Sequence, residues 1–524
     1  MSSPIAAPRR FARKFPGAAV TAAVLLLALV LRCVAAWRWA DDVTLDVDMY
    51  RGIAANLLDG LGYARPDTDT LTAYRPPLVP LIYAALGNGD RAILLFQILA
   101  GAATAGLTVR LARLLGLGWK GAGLAGAVVA CDPILLRYTP QAMTEVTAAL
   151  LSVGLLCRVC RSGEGRRALG GAVLTGIVFG LNALCRPTVW AFGGLLALAW
   201  LFDRLRGRAG WLHGGGRLAA GVLGVGLVVA PWVIRNQAVF DRPILMTTHG
   251  GYTLHLANNE VFYEKVVRGP AGAVWDGKSL RRWQEQQSDQ RDIQLNLRRT
   301  KSVFLGEDED PSAETQALID QWISDAQQRG ATQIAPDDLL IVQLIDFHWA
   351  HLEWSAPAMP RQEPLRDRWH RDRAIETIQS DPLGFARAVP LRVSRLWSPV
   401  PLGPAAEGLP GAVWWAVGGW NVAVFLLAGW GVVRLWRSGA LWEDWRPVLL
   451  LIASVTAVHA VYWSNARMRA TIVPAIAVLA AAGACGRREL TGEESDEATE
   501  PESPSGVESF GGEGKSGSLP ATSR

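Results

Sequence analysis

The sequence is poor in the residues that build disulfide-held or metal-held folds. Six cysteines and seven histidines are spread over 524 residues. The thiols Cys33, Cys131, Cys157, Cys160, Cys185 and Cys485 all fall in or at the edge of apolar runs, where a free cysteine behaves as a small buried hydrophobe. The pair Cys157-x-x-Cys160 has no second pair and no histidine cluster beside it, so a zinc ribbon or dithiol centre lacks its other half. No self-similarity at 20–50 residues marks a solenoid or propeller. The long polar stretch at about 237–408 has no extended apolar–polar alternation, which argues against a β domain and for a mostly helical one.

What the chain has in quantity is apolar sequence. Half of its residues are hydrophobic, and the mean hydropathy of +0.18 averages two kinds of segment. Several runs of roughly 17–25 apolar residues are long enough to cross a bilayer. The stretch 237–408 and the tail after Arg487 are polar. The net charge of +5 does not point to nucleic acid, because Arg and Lys concentrate beside the apolar runs, where they act as topology signals. The expected class is an all-α polytopic membrane protein with a mainly helical water-facing domain.

The arginine pattern orders the topology. Residues 1–16 carry Arg9, Arg10, Arg13 and Lys14 and are expected in the cytoplasm. The run from Gly17 to about Trp37 is read as a retained first span; Val34-Ala35-Ala36 could pass for a cleavage site, but the run is long for a signal core. A membrane catalytic domain is expected over 17–236, with a first extracytoplasmic loop at 38–90. Leu78 to Leu86 is too short to cross and is expected to lie at the interface or dip into the bundle. An extracytoplasmic domain over 237–408 follows, with helical stretches at 315–329 and 366–380 and a very polar region near 307–311. Membrane spans resume over 409–486, and a tail over 487–524, rich in Glu, Ser, Gly and Pro, is expected to be disordered in the cytoplasm. Window length gives about ten spans.

The first loop holds the chemistry. Asp41, Asp42, Asp46 and Asp48 follow the first apolar run directly. Tyr50, Ile53, Ala54, Leu57 and Leu58 keep helical spacing, and Gly60 and Gly62 end that helix, so the acids are expected in its N-terminal turn. Asp46-Val47-Asp48 also matches the Asp-x-Asp pair that holds a metal and a nucleotide sugar in soluble enzymes. The acids face outward, however, while nucleotide sugars are cytoplasmic, so a donor for this site should arrive on a lipid. Arg75, Glu145, Arg186, Arg235, His249, Arg467 and Arg469 come from different loops that map to the same membrane surface. Each alone could be a snorkelling or anchoring charge. Together, beside a carboxylate cluster, they suggest a mouth for a phosphate, whose oxygens arginine binds bidentately.

Several motifs carry a family resemblance: Asp46-x-x-x-Tyr50 with Ala54-Ala55-Asn56-Leu57-Leu58-Asp59-Gly60, Tyr74-Arg75-Pro76-Pro77-Leu78, Met143-Thr144-Glu145, Arg186-Pro187, Pro231 to Asn236 with Gly250-Gly251 and Asn258-Asn259, and Arg467-Met468-Arg469. From about residue 15 to 485 the chain resembles the GT-C type of polytopic glycosyltransferases that use polyprenyl-phosphate sugars. The similarity is to the bacterial branch related to protein O-mannosyltransferases, lipid A aminoarabinose transferases and lipopolysaccharide-core galacturonosyltransferases. Residues 260–340 match nothing in that family.

The resemblance implies transfer of a sugar from a polyprenyl-phosphate donor to a hydroxyl on a glycolipid, lipopolysaccharide, envelope glycan or protein. It implies inversion at the anomeric carbon, on the outer face of the plasma (inner) membrane. Asp46 matches the catalytic first-loop carboxylate and would act as general base. Relatives often place a second acid directly after it; here Val47 intervenes and Asp48 is the alternate. Glu145 would orient the acceptor or hold a second donor. Arg75, Arg186, Arg235, Arg467 and Arg469 would bind the donor phosphate, and Tyr50, Tyr74, His249 and Asn258 would line the substrate site. No cofactor is required, although a divalent metal is admitted; no nucleic-acid partner is implied. The rival functions are a ligase or polymerase of lipid-linked glycans, a transporter, and a non-catalytic interaction protein. Against the transporter, the polar groups cluster at one surface and no paired interrupted helices recur in two halves.

Overall fold

A long run of Ala, Leu, Val and Gly can satisfy its backbone polar groups in lipid only by coiling, and in the computed structural model the apolar runs are helices. The structure describes residues 16–66, 70–161, 166–207, 211–270, 275, 362–403, 406 and 408–486. The expected helix at 315–329, the polar region at 307–311, most of the 260–340 insert, the first fifteen residues and the acidic tail lie outside the described residues.

In chain order the principal helices are α1 (Pro16–Arg38), α2 (Tyr50–Leu58), α3 (Leu78–Ala85), α4 (Asp90–Leu114), α5 (Trp119–Ala130), α6 (Pro133–Arg137), α7 (Glu145–Val159), α8 (Arg166–Cys185), α9 (Val189–Leu205), α10 (Trp211–Phe240), α11 (Gly250–Ala257), α12 (Gln362–Ser380), α13 (Pro382–Leu396), α14 (Gly411–Arg437), α15 (Arg446–Val461) and α16 (Val473–Cys485). Among the described residues the nearest thing to a strand is one isolated bridge, Ala64 with Leu71. The protein is an all-α membrane protein. Among the described residues six helices are long and apolar enough to cross a bilayer: Gly17–Arg38, Asp90–Leu114, Ala168–Cys185, Gly215–Phe240, Gly411–Arg437 and Ala466–Cys485. The other four apolar runs among the ten expected give helices of only 12 to 17 residues.

Two of those runs are shortened by identifiable residues. The run at 121–136 breaks at Asp132-Pro133: α5 stops at Ala130, and the Asp132 carboxylate accepts the Leu135 N–H at 2.9 Å to start α6 with proline at its first position. The run at 141–156 becomes helical only at Glu145.

The core is made of small side chains. α16 is Val-Pro-Ala-Ile-Ala-Val-Leu-Ala-Ala-Ala-Gly and is buried over nearly its whole length. It packs between α14 on one side and α5 and α4 on another. At the α14 crossing, a Cβ on Gly431 would stand 2.1 Å from the Leu479 carbonyl oxygen, and one on Gly483 would stand 2.1 Å from that of Leu427. The backbones meet there, which is the usual way helices associate in lipid, where burial of apolar surface gives little net drive.

The first loop is pinned to this bundle from outside. α3, eight residues long, packs on α2 and buries Val79, Pro80 and Tyr83. Beyond α10, α11 packs on α12, and Glu363 at the start of α12 reaches the first loop. Its Oε1 accepts the Ala73 N–H at 2.7 Å and the Thr248 hydroxyl; its Oε2 accepts the Thr72 hydroxyl at 2.6 Å and faces Arg65 at 3.4 Å.

Candidate active site

The helix that follows the first-loop acids begins beyond both of them. α2 starts at Tyr50, and Met49 before it sits in the left-handed region at φ 64°. Asp46 and Asp48 therefore precede the first turn instead of lying in it, which corrects the expectation. The reversal at Met49 folds the preceding chain back over the helix start. The Asp46 oxygens accept two helix N–H groups, Oδ1 from Arg51 at 3.0 Å and Oδ2 from Gly52 at 2.7 Å. These satisfy donors that a helix N-terminus otherwise leaves open. Gly52 is needed for this approach, because a Cβ there would lie 2.5 Å from Pro66 and 3.3 Å from Asp46 Oδ2.

Asp48 takes a different path. Its Oδ1 is 3.0 Å from Arg75 Nη2 and its Oδ2 is 3.1 Å from Arg467 Nη1. Arg467 turns its Nε to Glu145 Oε1 at 3.1 Å, and the same oxygen is 2.6 Å from Arg186 Nη2. Arg186 is held in turn by Thr144 Oγ1, which accepts its Nε–H at 2.9 Å. Five charged side chains from the first loop, the start of α7, the turn after α8 and the 3₁₀ segment Ala466–Ile472 thus form one ion-paired cluster. Three guanidinium groups face two carboxylates, so it carries one surplus positive charge. Glu145 is 1% exposed, and its second oxygen, Oε2, has no hydrogen-bond partner among the described residues.

The two aspartates differ as acids. Burial raises Asp48, but Arg75 and Arg467, with Arg186 further off, overturn that and hold its carboxyl at about 2. Burial raises Asp46 too, and there the Arg51 and Gly52 N–H groups only partly oppose it, leaving it above the ordinary carboxylate value. Asp46 is thus the more basic of the pair.

Aromatic rings wall the cluster. The Arg75 guanidinium lies 5.0 Å from the Tyr74 ring centroid and 5.9 Å from that of the buried Tyr50. The His249 ring meets Tyr74 edge to face at 4.3 Å and stacks on Tyr252 at 5.3 Å. Burial first, then Arg75, push His249 well below the usual histidine value, so it is neutral. Its Nδ1 has no hydrogen-bond partner among the described residues.

The remaining expected site residues stand elsewhere. Arg235 donates to the Thr72 and Tyr63 carbonyls at 2.8 and 2.9 Å and thereby clamps the first loop to α10. Arg469 is buried and donates to the Leu396 and Ser398 carbonyls at 2.9 and 3.0 Å. Asn258 has its amide spent on the Leu254 and Val461 carbonyls, and its oxygen accepts from Tyr263 and Arg392. Asp42 pairs with Arg137, the last residue of α6. Sequence reasoning missed Glu363 and Thr144. A lone glutamate at the head of a polar helix gives no signal of its contact with a loop nearly 300 residues earlier. Thr144 was in view as part of a motif, but nothing in the motif said that its hydroxyl aims an arginine.

Among the described residues no three His, Cys, Asp or Glu side chains converge on a common point. Both Asp48 oxygens and Glu145 Oε1 are bound by guanidinium groups, which a divalent cation would have to displace against their charge. The donor set as it stands does not fit one.

No family model matches the chain, and no curated protein matches it. Among solved structures it is similar to the archaeal oligosaccharyltransferase AglB from Archaeoglobus fulgidus in complex with an inhibitory peptide and a dolichol-phosphate. That match has 13% identity and a TM-score of 0.42, and it covers 90% of this chain and 50% of that one. It is also similar to ArnT from Cupriavidus metallidurans bound to undecaprenyl phosphate, at 15% identity and a TM-score of 0.37, over 89% of this chain and 77% of that one. This chain spans half the length of the oligosaccharyltransferase. Likeness at this level assigns neither a family nor an activity.

Proposed function

We propose that the protein is a membrane glycosyltransferase that moves a sugar from a polyprenyl-phosphate donor to a hydroxyl acceptor, with inversion, at the extracytoplasmic face of the plasma membrane. The observation that carries the reading is the buried cluster of Arg75, Arg186 and Arg467 around Asp48 and Glu145, with its surplus positive charge. A phosphate leaving group gains negative charge as the sugar–oxygen bond breaks. Fixed guanidinium groups in a water-poor site stabilise that charge without reorganising.

Asp46 is assigned as the base. It takes the proton of the acceptor hydroxyl as that oxygen attacks the anomeric carbon, and the bond from that carbon to the phosphate oxygen breaks on the opposite face. Two supports apply. Its carboxyl is raised, which favours proton acceptance near neutral pH, whereas a carboxyl at about 2 accepts poorly. Its two helix N–H contacts occupy one lone pair on each oxygen, and a carboxylate offers about four such sites. Glu145 Oε2 and His249 Nδ1, both without partners among the described residues, are assigned to hydroxyl groups of the sugar or acceptor.

The test is transfer of radiolabelled hexose from a polyprenyl phosphate, by purified protein in lipid, to an extract of the producing cell's envelope. Wild type should label an acceptor, Asp46→Asn should lose about 10²–10⁴-fold in rate, and the product should name the acceptor. Failure of wild type with several sugars, despite donor binding, sinks the transferase reading.

A further inference from the structure

The cluster's charge count bears on which donors it can hold. Each carboxylate neutralises one arginine, and one positive charge is left over. His249 adds none. Asp46 stands outside the ion-paired cluster, with its oxygens on the Arg51 and Gly52 N–H groups, and the Arg51 guanidinium pairs with Asp90. A sugar linked through one phosphate is a phosphodiester with a single negative charge. A glycan linked through a diphosphate carries two. Only the first is matched by the cluster as built.

Asp48 is the group that sets this count. It bridges Arg75 and Arg467 with one oxygen on each, so it occupies the space between the two guanidinium groups where an anionic ligand would gain most. Glu145, at 1% exposed, shares Arg467 with it and holds Arg186 on the same oxygen. An incoming anion therefore meets Asp48 as a competitor for the same two cations, and a second negative charge on that anion would be repelled by it.

We infer that Asp48 determines donor class: by bridging Arg75 and Arg467 it admits a lipid-linked sugar carrying one phosphate and disfavours one carrying a diphosphate. The inference rests on the polyprenyl-phosphate reading and narrows it, because it separates a single-sugar transferase from a ligase of diphosphate-linked glycans. Two unit charges about 6 Å apart in a surroundings of effective dielectric near 20 interact strongly enough to change binding by roughly tenfold to a hundredfold, so the effect is measurable.

The experiment is equilibrium binding to the full chain in lipid, without acceptor. The probes are a polyprenyl phosphate hexose and a polyprenyl diphosphate hexose of equal chain length and sugar. Wild type should prefer the monophosphate. Asp48→Asn should shift the preference toward the diphosphate by about tenfold or more, and Asp48→Glu, which keeps the charge, should hold the wild-type ratio. Should Asp48→Asn fail to fold, Arg75→Gln removes a positive charge and should shift the ratio the other way, further toward the monophosphate. An unchanged ratio in Asp48→Asn, an equal loss of both ligands, or a shift in Asp48→Glu as large as in Asp48→Asn would each overturn the inference. If wild type binds with the expected preference and the ratio shifts as stated while neither donor gives transfer in the assay with envelope extract, the transferase reading falls and the assignment of Asp48 stands.

Discussion

The arginines of this protein fall into two groups that differ in what they touch. Arg75, Arg186 and Arg467 bind carboxylates, with a hydroxyl and methionine sulfurs as their other partners. Arg32, Arg235, Arg392 and Arg469 bind neutral oxygens: backbone carbonyls of Ala28, Val129 and Ala130, of Tyr63 and Thr72, of Ala257, and of Leu396 and Ser398 respectively, with Asn side chains beside three of them. The distinction is functional as well as geometric. A carbonyl belongs to one fixed place in the chain, so an arginine bound to it holds two segments together. A carboxylate bound by several arginines with charge to spare can share them with another anion. Burial does not separate the two groups, since Arg469 and the cluster are both enclosed. The nature of the acceptor does.

The neighbours Arg467 and Arg469 test this comparison most directly, because they differ by two residues and fall in opposite groups. Arg467→Met should reduce sugar transfer by about 10²–10³-fold while the protein stays folded. Asp48 keeps Arg75 and Glu145 keeps Arg186, so neither acid is left alone. Arg469→Met should do the reverse. It strips three hydrogen bonds from buried acceptors and should cost roughly 3 kcal/mol or more, seen as a lowered thermal midpoint, with activity per folded molecule kept within about threefold of wild type. Equal thermal loss in both variants would erase the distinction.

Much of the architecture was legible because lipid leaves few choices: apolar runs of bilayer length must be helices, and the six qualifying spans lie where the runs lie. Loop chemistry was legible only in part. The helical spacing of Tyr50, Ile53, Ala54, Leu57 and Leu58 located α2, but not the left-handed Met49 that carries both acids ahead of it; no glycine or asparagine marks that reversal. The pairing of Asp48 with Arg467 spans 419 positions and has no periodicity to betray it. Arg467 and Arg469 looked alike because both sit in one basic motif. In a 3₁₀ turn, with three residues per turn, positions two apart point well away from each other, so one reaches the acids and the other the carbonyls after α13. Arg235 and Asn258 were read as site groups because they are polar residues at the expected surface, and the structure uses them to tie segments together.

Glu363 is the carboxylate counterpart of the clamping arginines. It serves the Ala73 N–H and the Thr72 and Thr248 hydroxyls, with Arg65 as its charge partner. Glu363→Gln puts an NH₂ group where an acceptor is needed and leaves Arg65 without this partner, which should cost about 3 kcal/mol. The first loop should loosen, so proteolysis between Gly60 and Arg75 should accelerate. Transfer should fall through a raised KM for donor with kcat less affected. A kcat loss as large as that of Asp46→Asn, at unchanged protease resistance, would put Glu363 among the reacting groups.

The smallest effect expected is set by pH, and it separates the seam between α11 and α12 from the cluster. His255 and His370 face each other across that seam, Nδ1 to Nδ1 at 2.9 Å. Burial first, then Arg373, lowers His255 to about 4; burial, then His255, Arg366 and His249, lowers His370 well below the usual value. Tyr252 and Trp369 complete the aromatic surroundings of the pair. Both histidines are neutral in the fold and take protons more readily unfolded. Their contribution to stability is therefore full above about pH 6.5 and is lost as pH falls toward 4. Asp48, depressed to about 2, contributes above about pH 4 and loses its contribution only as pH falls through 2. The thermal midpoint should thus decline in two steps, and His255→Gln should shrink the upper step, to which His255 contributes about 2 kcal/mol by pH 5, without moving the lower one. Persistence of the full upper step in His255→Gln would assign it to another group, with His249 beside the arginine cluster the next to substitute.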